Sequence, residues 1–141
     1  MTVRNFKGFH SLREVECSAR NVKMELKVFS LKMFSIPDNV VLATANPVTS
    51  ECVTFANYSS CSVDRTDTRS SKLRVLVSDL RQGEVRRYGC RVNSFDSFGD
   101  TVTSTWSVSV ERESECLLRL TPLIAFRCIH AHHACSHAFK F

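Results

Sequence analysis

The stretch Val102-Thr103-Ser104-Thr105-Trp106-Ser107-Val108-Ser109-Val110 limits the possible folds more than any other part of the chain. Val102, Trp106, Val108 and Val110 share one parity, and Thr103, Thr105, Ser107 and Ser109 share the other. Side chains on a strand point alternately to opposite faces, so this period of two describes a strand with one apolar face and one hydroxyl-rich face. Val and Thr favour that state because branched side chains pack well on a pleated surface. Such a strand needs partners, and the upstream sequence supplies them. Tyr88, Cys90 and Val92 alternate with Gly89 and Arg91, and the turn-rich connection Ser94 to Asp100 is short enough for a hairpin. Leu73, Val75 and Val77 alternate with Arg74, Leu76 and Ser78, and Asp79 to Glu84 then makes a corner. Val15, Cys17 and Ala19 alternate with Glu14, Glu16 and Ser18.

Met24 to Phe34 is apolar on both parities, with Met24, Leu26 and Val28 on one and Phe29, Leu31 and Met33 on the other. A central strand is expected there, although Leu and Met would also suit an amphipathic helix. Val40 to Ala43 and Cys52 to Phe55 are shorter strand candidates, and Ser59 to Ser71 is polar enough for a loop or an edge segment. About seven short strands with turns between them predict an all-β fold, a two-layer antiparallel β-sandwich. At 141 residues, 43% hydrophobic and 23% charged, the chain suits one domain. The expected division is a lead-in over 1–12, the sandwich over 13–113 and a Cys/His-rich tail over 114–141.

The segment Leu73 to Val92 (LRVLVSDLRQGEVRRYGCRV) resembles the E-strand, corner and F-strand of immunoglobulin-like domains. That family's motif is an acidic residue, three residues, Tyr, any residue, then Cys; Glu84, Tyr88 and Cys90 match it here. The resemblance implies an immunoglobulin-like sandwich over about Val15 to Glu113. It also implies a tyrosine corner, in which the Tyr88 hydroxyl bonds back across the turn, and a disulfide from Cys90 to Cys17. Closing a loop of that length stabilises a domain by roughly 4–5 kcal/mol in the chain-entropy account. The sequence departs from the pattern at Glu84, where Asp is usual, and at Arg86, where a small residue is usual. The C-strand Trp is also missing, so Phe29 or Leu31 must fill its volume, and Trp106 lies on the final strand. The layout is similar to divergent immunoglobulin-like domains of invertebrate cell-surface or secreted proteins rather than to antibody variable domains.

Seven cysteines point to an oxidising compartment, and the odd number leaves at least one without a partner in the monomer. Cys52 and Cys61, nine positions apart, either close a local bridge or stay free. Asn57-Tyr58-Ser59 is an N-glycosylation sequon, usable only in a secreted chain. Residues 1–20 contain Arg4, Lys7, Arg13, Glu14 and Glu16 with no apolar core, so they are not a signal peptide. Either the protein is intracellular, or the chain is a piece of a larger cell-surface protein or an incomplete gene product; the extracellular character of the middle of the chain favours the second. No apolar run reaches the ~18 residues of a membrane span. The net charge of +5 is scattered, with Arg86-Arg87 the only adjacent basic pair, so nucleic acid is not an expected partner.

Beyond Glu115, Cys128, His130, His132, His133, Cys135 and His137 offer zinc or copper donors at alternating positions. Their spacing lacks the two separated pairs of a zinc finger, and a bland His-rich tail or a translated CA-type repeat accounts for it as well. No cofactor is expected. The sequence contains no phosphate loop, GxSxG or HExxH motif, so no enzyme is expected. The leading expectation is a recognition or adhesion module that meets a protein or glycan ligand through loops or a sheet face. Phe95, Asp96 and Phe98 are its candidate contacts, with Arg86, Arg87 and Arg91 as a basic rim. The alternatives are a truncated product without independent function and a low-affinity Cys/His metal-binding protein.

Overall fold

The computed structural model describes residues 1–5 and 12–112. In it the alternating stretches are strands: β1 (Thr2–Asn5), β2 (Arg13–Ser18), β3 (Lys27–Ile36), β4 (Val41–Asn46), β5 (Glu51–Thr54), β6 (Ser59–Ser62), β7 (Lys72–Val77), β8 (Val85–Phe95) and β9 (Thr101–Glu111). They form a four-stranded sheet ordered β1-β2-β7-β6 and a five-stranded sheet ordered β5-β4-β3-β8-β9, antiparallel throughout. The fold is therefore an all-β, two-layer sandwich. It has nine described strands rather than about seven, because β1 and β6 escape the alternation test. Both are four-residue edge strands of polar sequence, and an edge strand has little apolar surface to bury. The 1–12 lead-in is corrected accordingly: Thr2 to Asn5 pair with Glu16 to Arg13 and belong to the sandwich.

The core lies between the sheets. Val15, Cys17, Leu73, Val75 and Val77 face Leu31, Met33, Ala43, Cys90 and Val92, all essentially without solvent contact. Cys17 is bonded to Cys90 across this layer, with a Cα separation of 5.6 Å. Each cysteine sits on a strand flanked on both sides by neighbours.

The two-faced apolar sequence of β3 has a geometric cause. The register against β8 shifts between Val28 and Ser30, so one residue is extra. Val28, Leu31 and Met33 consequently all reach the core despite their mixed parity. Leu31 is fully buried in the core. Phe29 is not; its ring instead stacks on Phe95 with centroids 4.2 Å apart. Phe34 lies on the outer face of the same strand, opposite Gly89. Its ring occupies the space a Cβ at position 89 would need, which is why Gly89 is buried although it points away from the core. Arg91 closes over that ring, 5.6 Å from its centroid.

Glu16 also departs from its expected solvent-facing place. It is 5% exposed on the outer face of the four-stranded sheet, where Arg74 Nε donates to it at 3.0 Å and Lys72 Nζ lies 3.7 Å away. A buried carboxylate is tolerable only with such partners.

A second disulfide joins Cys52 on β5 to Cys61 on β6, with a Cα separation of 6.2 Å. It ties the edge of one sheet to the edge of the other along one open side of the sandwich. Cys52 is exposed, whereas Cys17 and Cys90 are fully buried.

Two outcomes follow from this packing. Under a mild thiol reductant, differential alkylation will label Cys52 and Cys61 first and Cys17 and Cys90 only on global unfolding; replacing each pair by Ala will cost about 2–3 and about 4–5 kcal/mol respectively. Gly89→Ala will destabilise by about 1–3 kcal/mol in urea denaturation, and that cost will largely vanish in a Phe34→Ala background.

Candidate binding surface

The strand registers gather several loops at one end of the sandwich. Lys27, which opens β3, pairs with Phe95, which closes β8, so the 19–26 and 96–100 connections lie together. Leu31 pairs with Ala45, which brings the 47–50 connection to the same end. Ser18 and Ser62 both pair with Lys72, so the 63–71 connection joins them there.

Each of these loops is held by side-chain bonds to its own or a neighbouring backbone. In the 96–100 loop, Asp96 Oδ1 accepts from the amides of Phe98 at 2.9 Å and Asp100 at 2.8 Å. The backbone closes it further, with Gly99 N donating to Asp96 O at 3.1 Å and Gly99 at φ 86°, a conformation that suits glycine. Asn46 Oδ1 likewise accepts from Val48 N at 3.0 Å and Thr49 N at 3.2 Å. Asp64 Oδ1 accepts from Asp67 N at 3.0 Å, the Thr66 hydroxyl at 2.7 Å and Thr66 N at 2.9 Å, and these bonds hold its carboxyl below the ordinary range. Arg69 reaches across, donating to Val22 O at 3.1 Å and Arg20 O at 2.7 Å, and so pins the 19–26 loop.

The three residues singled out on the 96–100 loop and its flank therefore have different roles. Phe98 is 89% exposed. Phe95 is half-covered by its stack on Phe29. Asp96 builds the loop instead of standing free. Two further exposed apolar side chains lie on adjacent loops: Met24, which was expected in the central strand but lies in the 19–26 connection because β3 begins only at Lys27, and Val48, which the sequence did not single out. The Asn46-Pro47 pair, a turn-initiating dipeptide, marks the second. Nothing in the sequence marks Arg69, whose partners are almost fifty residues away.

The basic rim is divided. Arg91 is engaged with Phe34, and Arg87 is exposed on the outer face of the five-stranded sheet. Arg86 belongs to the corner that precedes β8. There Glu84 Oε2 accepts from Arg81 N at 2.9 Å, Arg86 Nε donates to Glu84 Oε1 at 2.6 Å, and an Arg86 guanidinium nitrogen donates to Ser78 O at 3.2 Å. The two departures from the family pattern thus answer each other: the longer acid meets the arginine, and together they span the corner. Tyr88 is buried beside them. Burial raises its phenol pKa, while the charge and hydrogen bonding of Arg86 oppose that rise.

At the end of the sandwich away from the 96–100 loop, Ile36, Pro37, Val40, Tyr58, Val85 and Arg87 are among the residues lining a cleft of about 480 Å³. A smaller depression of about 200 Å³ lies on the outer face over Ser30, Thr44, Asn46 and Val53. Asn57 is exposed in the β5–β6 turn, and the Ser59 hydroxyl donates to Leu42 O at 3.0 Å and Ala56 O at 2.6 Å. Among the described residues, no three Cys, His, Asp or Glu side chains group as metal ligands. The Cys128–His137 candidates lie outside those residues. No described helix is long and apolar enough to cross a membrane. No protein-family model matches the chain, and no curated protein matches it.

The corner makes a pH prediction. Backbone donation from Arg81 first, and then the Arg86 bond, holds the Glu84 carboxyl below its ordinary 4.5. A carboxyl depressed in the folded state adds stability above its unfolded pKa and loses it as the pH falls through the folded value. Glu84→Gln is therefore expected to be less stable than the natural chain at neutral pH. The gap will narrow as urea midpoints are taken down from pH 4.5.

Proposed function

We propose that the chain is a divergent immunoglobulin-like module that acts outside the cell by recognition, not catalysis. Phe98 carries this proposal: a large apolar side chain, 89% exposed, at the tip of a loop fixed by Asp96 on a long two-stranded ribbon. An aromatic side chain has only two rotatable bonds, so on a fixed backbone it loses little conformational freedom on binding and gives up much apolar area to a partner. Met24 and Val48 on adjoining loops extend the apolar character, which favours a protein surface over a glycan.

The kinship has two supports. The strand order β1-β2-β7-β6 against β5-β4-β3-β8-β9 corresponds to the A-B-E-D and C″-C′-C-F-G sheets of variable-type immunoglobulin domains. Cys17–Cys90 occupies the place of their B–F bridge. In that layout the 19–26, 47–50 and 96–100 loops hold the positions of antigen-contacting loops. The extracellular setting is supported by two disulfides among the described residues.

The test is a screen of the secreted, tetramerised chain against arrays of extracellular receptor ectodomains and of glycans. At least one protein ligand is expected, bound at least about tenfold more weakly by Phe98→Ala, a loss of about 1.4 kcal/mol. The denaturation midpoint of that variant should stay unchanged, because the side chain supports no packing. A ligand bound equally by Phe98→Ala would overturn the assignment of the site. Binding to glycans alone would overturn the partner class.

A further inference from the structure

We infer that Asn57 carries an N-linked oligosaccharide whose first sugars lie over the cleft at the end of the sandwich away from the 96–100 loop. This rests on the extracellular setting proposed above, but not on the identity of any ligand. Asn57-Tyr58-Ser59 meets the acceptor rule, with Asn, a residue other than Pro, then Ser. The structure adds what the sequence lacked. Asn57 is exposed in a tight turn, closed by Ser59 N donating to Ala56 O at 3.0 Å, so Asn57 and Tyr58 form its tip.

The residue beside the acceptor is a wall of the cleft. Tyr58, Val40 and Val85 all line it, and they are 53%, 53% and 52% exposed. Three large apolar side chains left half in water around one concavity call for a cover. The cover committed to here is the glycan itself. Its attachment point precedes Tyr58 in the chain, the C–H faces of sugars pack on aromatic and aliphatic side chains, and Arg87 on the same wall donates hydrogen bonds to sugar hydroxyls.

In the transfer, the Asn57 side-chain nitrogen forms a bond to the anomeric carbon of an oligosaccharide carried on a polyprenyl diphosphate. The bond from that carbon to the diphosphate oxygen breaks, and the polyprenyl diphosphate leaves with the electron pair. One amide proton passes to a base of the transferring enzyme. In the folded chain the Ser59 hydroxyl is already committed to Leu42 O and Ala56 O, so transfer precedes closure of the sandwich.

The full chain is expressed behind a secretion leader in a eukaryotic host, and total cell material is treated with an N-glycan-releasing endoglycosidase. A mobility shift is expected for the natural chain and for Ser59→Thr, and none for Asn57→Gln. An unshifted natural chain overturns the inference. A non-reducing peptide map of the same material separates the two levels. Joined Cys17 and Cys90 with unmodified Asn57 sinks the glycan alone, whereas free Cys17 and Cys90 sink the extracellular setting. Placement over the cleft is read on folded, purified protein before and after enzymatic release, which needs no variant to fold. Fluorescence of an apolar dye is expected to rise about twofold or more on release, and Tyr58→Ser is expected to abolish most of that rise. Equal fluorescence overturns the placement.

Discussion

Cys17, near the end of β2, and Cys90, at the middle of β8, lie on strands that are each flanked by neighbours, in sheets that face one another. Their bond fixes the distance and the alignment of the two layers at the point where both are driest. The remaining apolar side chains pack around that fixed point: Val15 and Val75 on one side, Leu31, Met33 and Val92 on the other. A core so anchored allows the outer faces and loop ends to carry polar or strained features at little risk to the fold. The Glu16–Arg74–Lys72 group and the left-handed turns at Asp79 and Gly83 are examples.

The strands that bury one face and expose the other were legible in the sequence. β9, β8, β7 and the inner part of β2 follow a period of two because water and core alternate along them. β3 was ambiguous for two physical reasons. A bulge resets its parity at Phe29, and Phe34 is covered on the outer face by its fit against Gly89 and Arg91. β1 was invisible, and β6 could be read only as a loop or an edge segment, because edge strands with polar sequence carry no burial signal.

The candidate site was legible only in part. The 96–100 loop announced itself through Asp, Ser and Gly around two Phe residues, but the sequence did not say which ring would stack and which would stand free. That choice depends on Phe29, almost seventy residues away and turned outward by the bulge. The clamp from Arg69 onto the 19–26 loop is equally long-range. The corner shows the opposite case: Glu84 and Arg86 each look like a defect in a family pattern until they are seen to bond each other.

β9 starts beside the exposed Phe98 and runs eleven residues to Glu111 at the far end of the sandwich, roughly 35 Å away. A strand is already close to full extension. If the loop tip takes the ligand proposed above, tension between that tip and the backbone at Glu111 runs along the covalent chain of β9. It does not have to pass through the hydrogen bonds between strands or through the packed core. The sandwich sits beside the line of force rather than in it, so a module of this shape can hold a load without being asked to unfold.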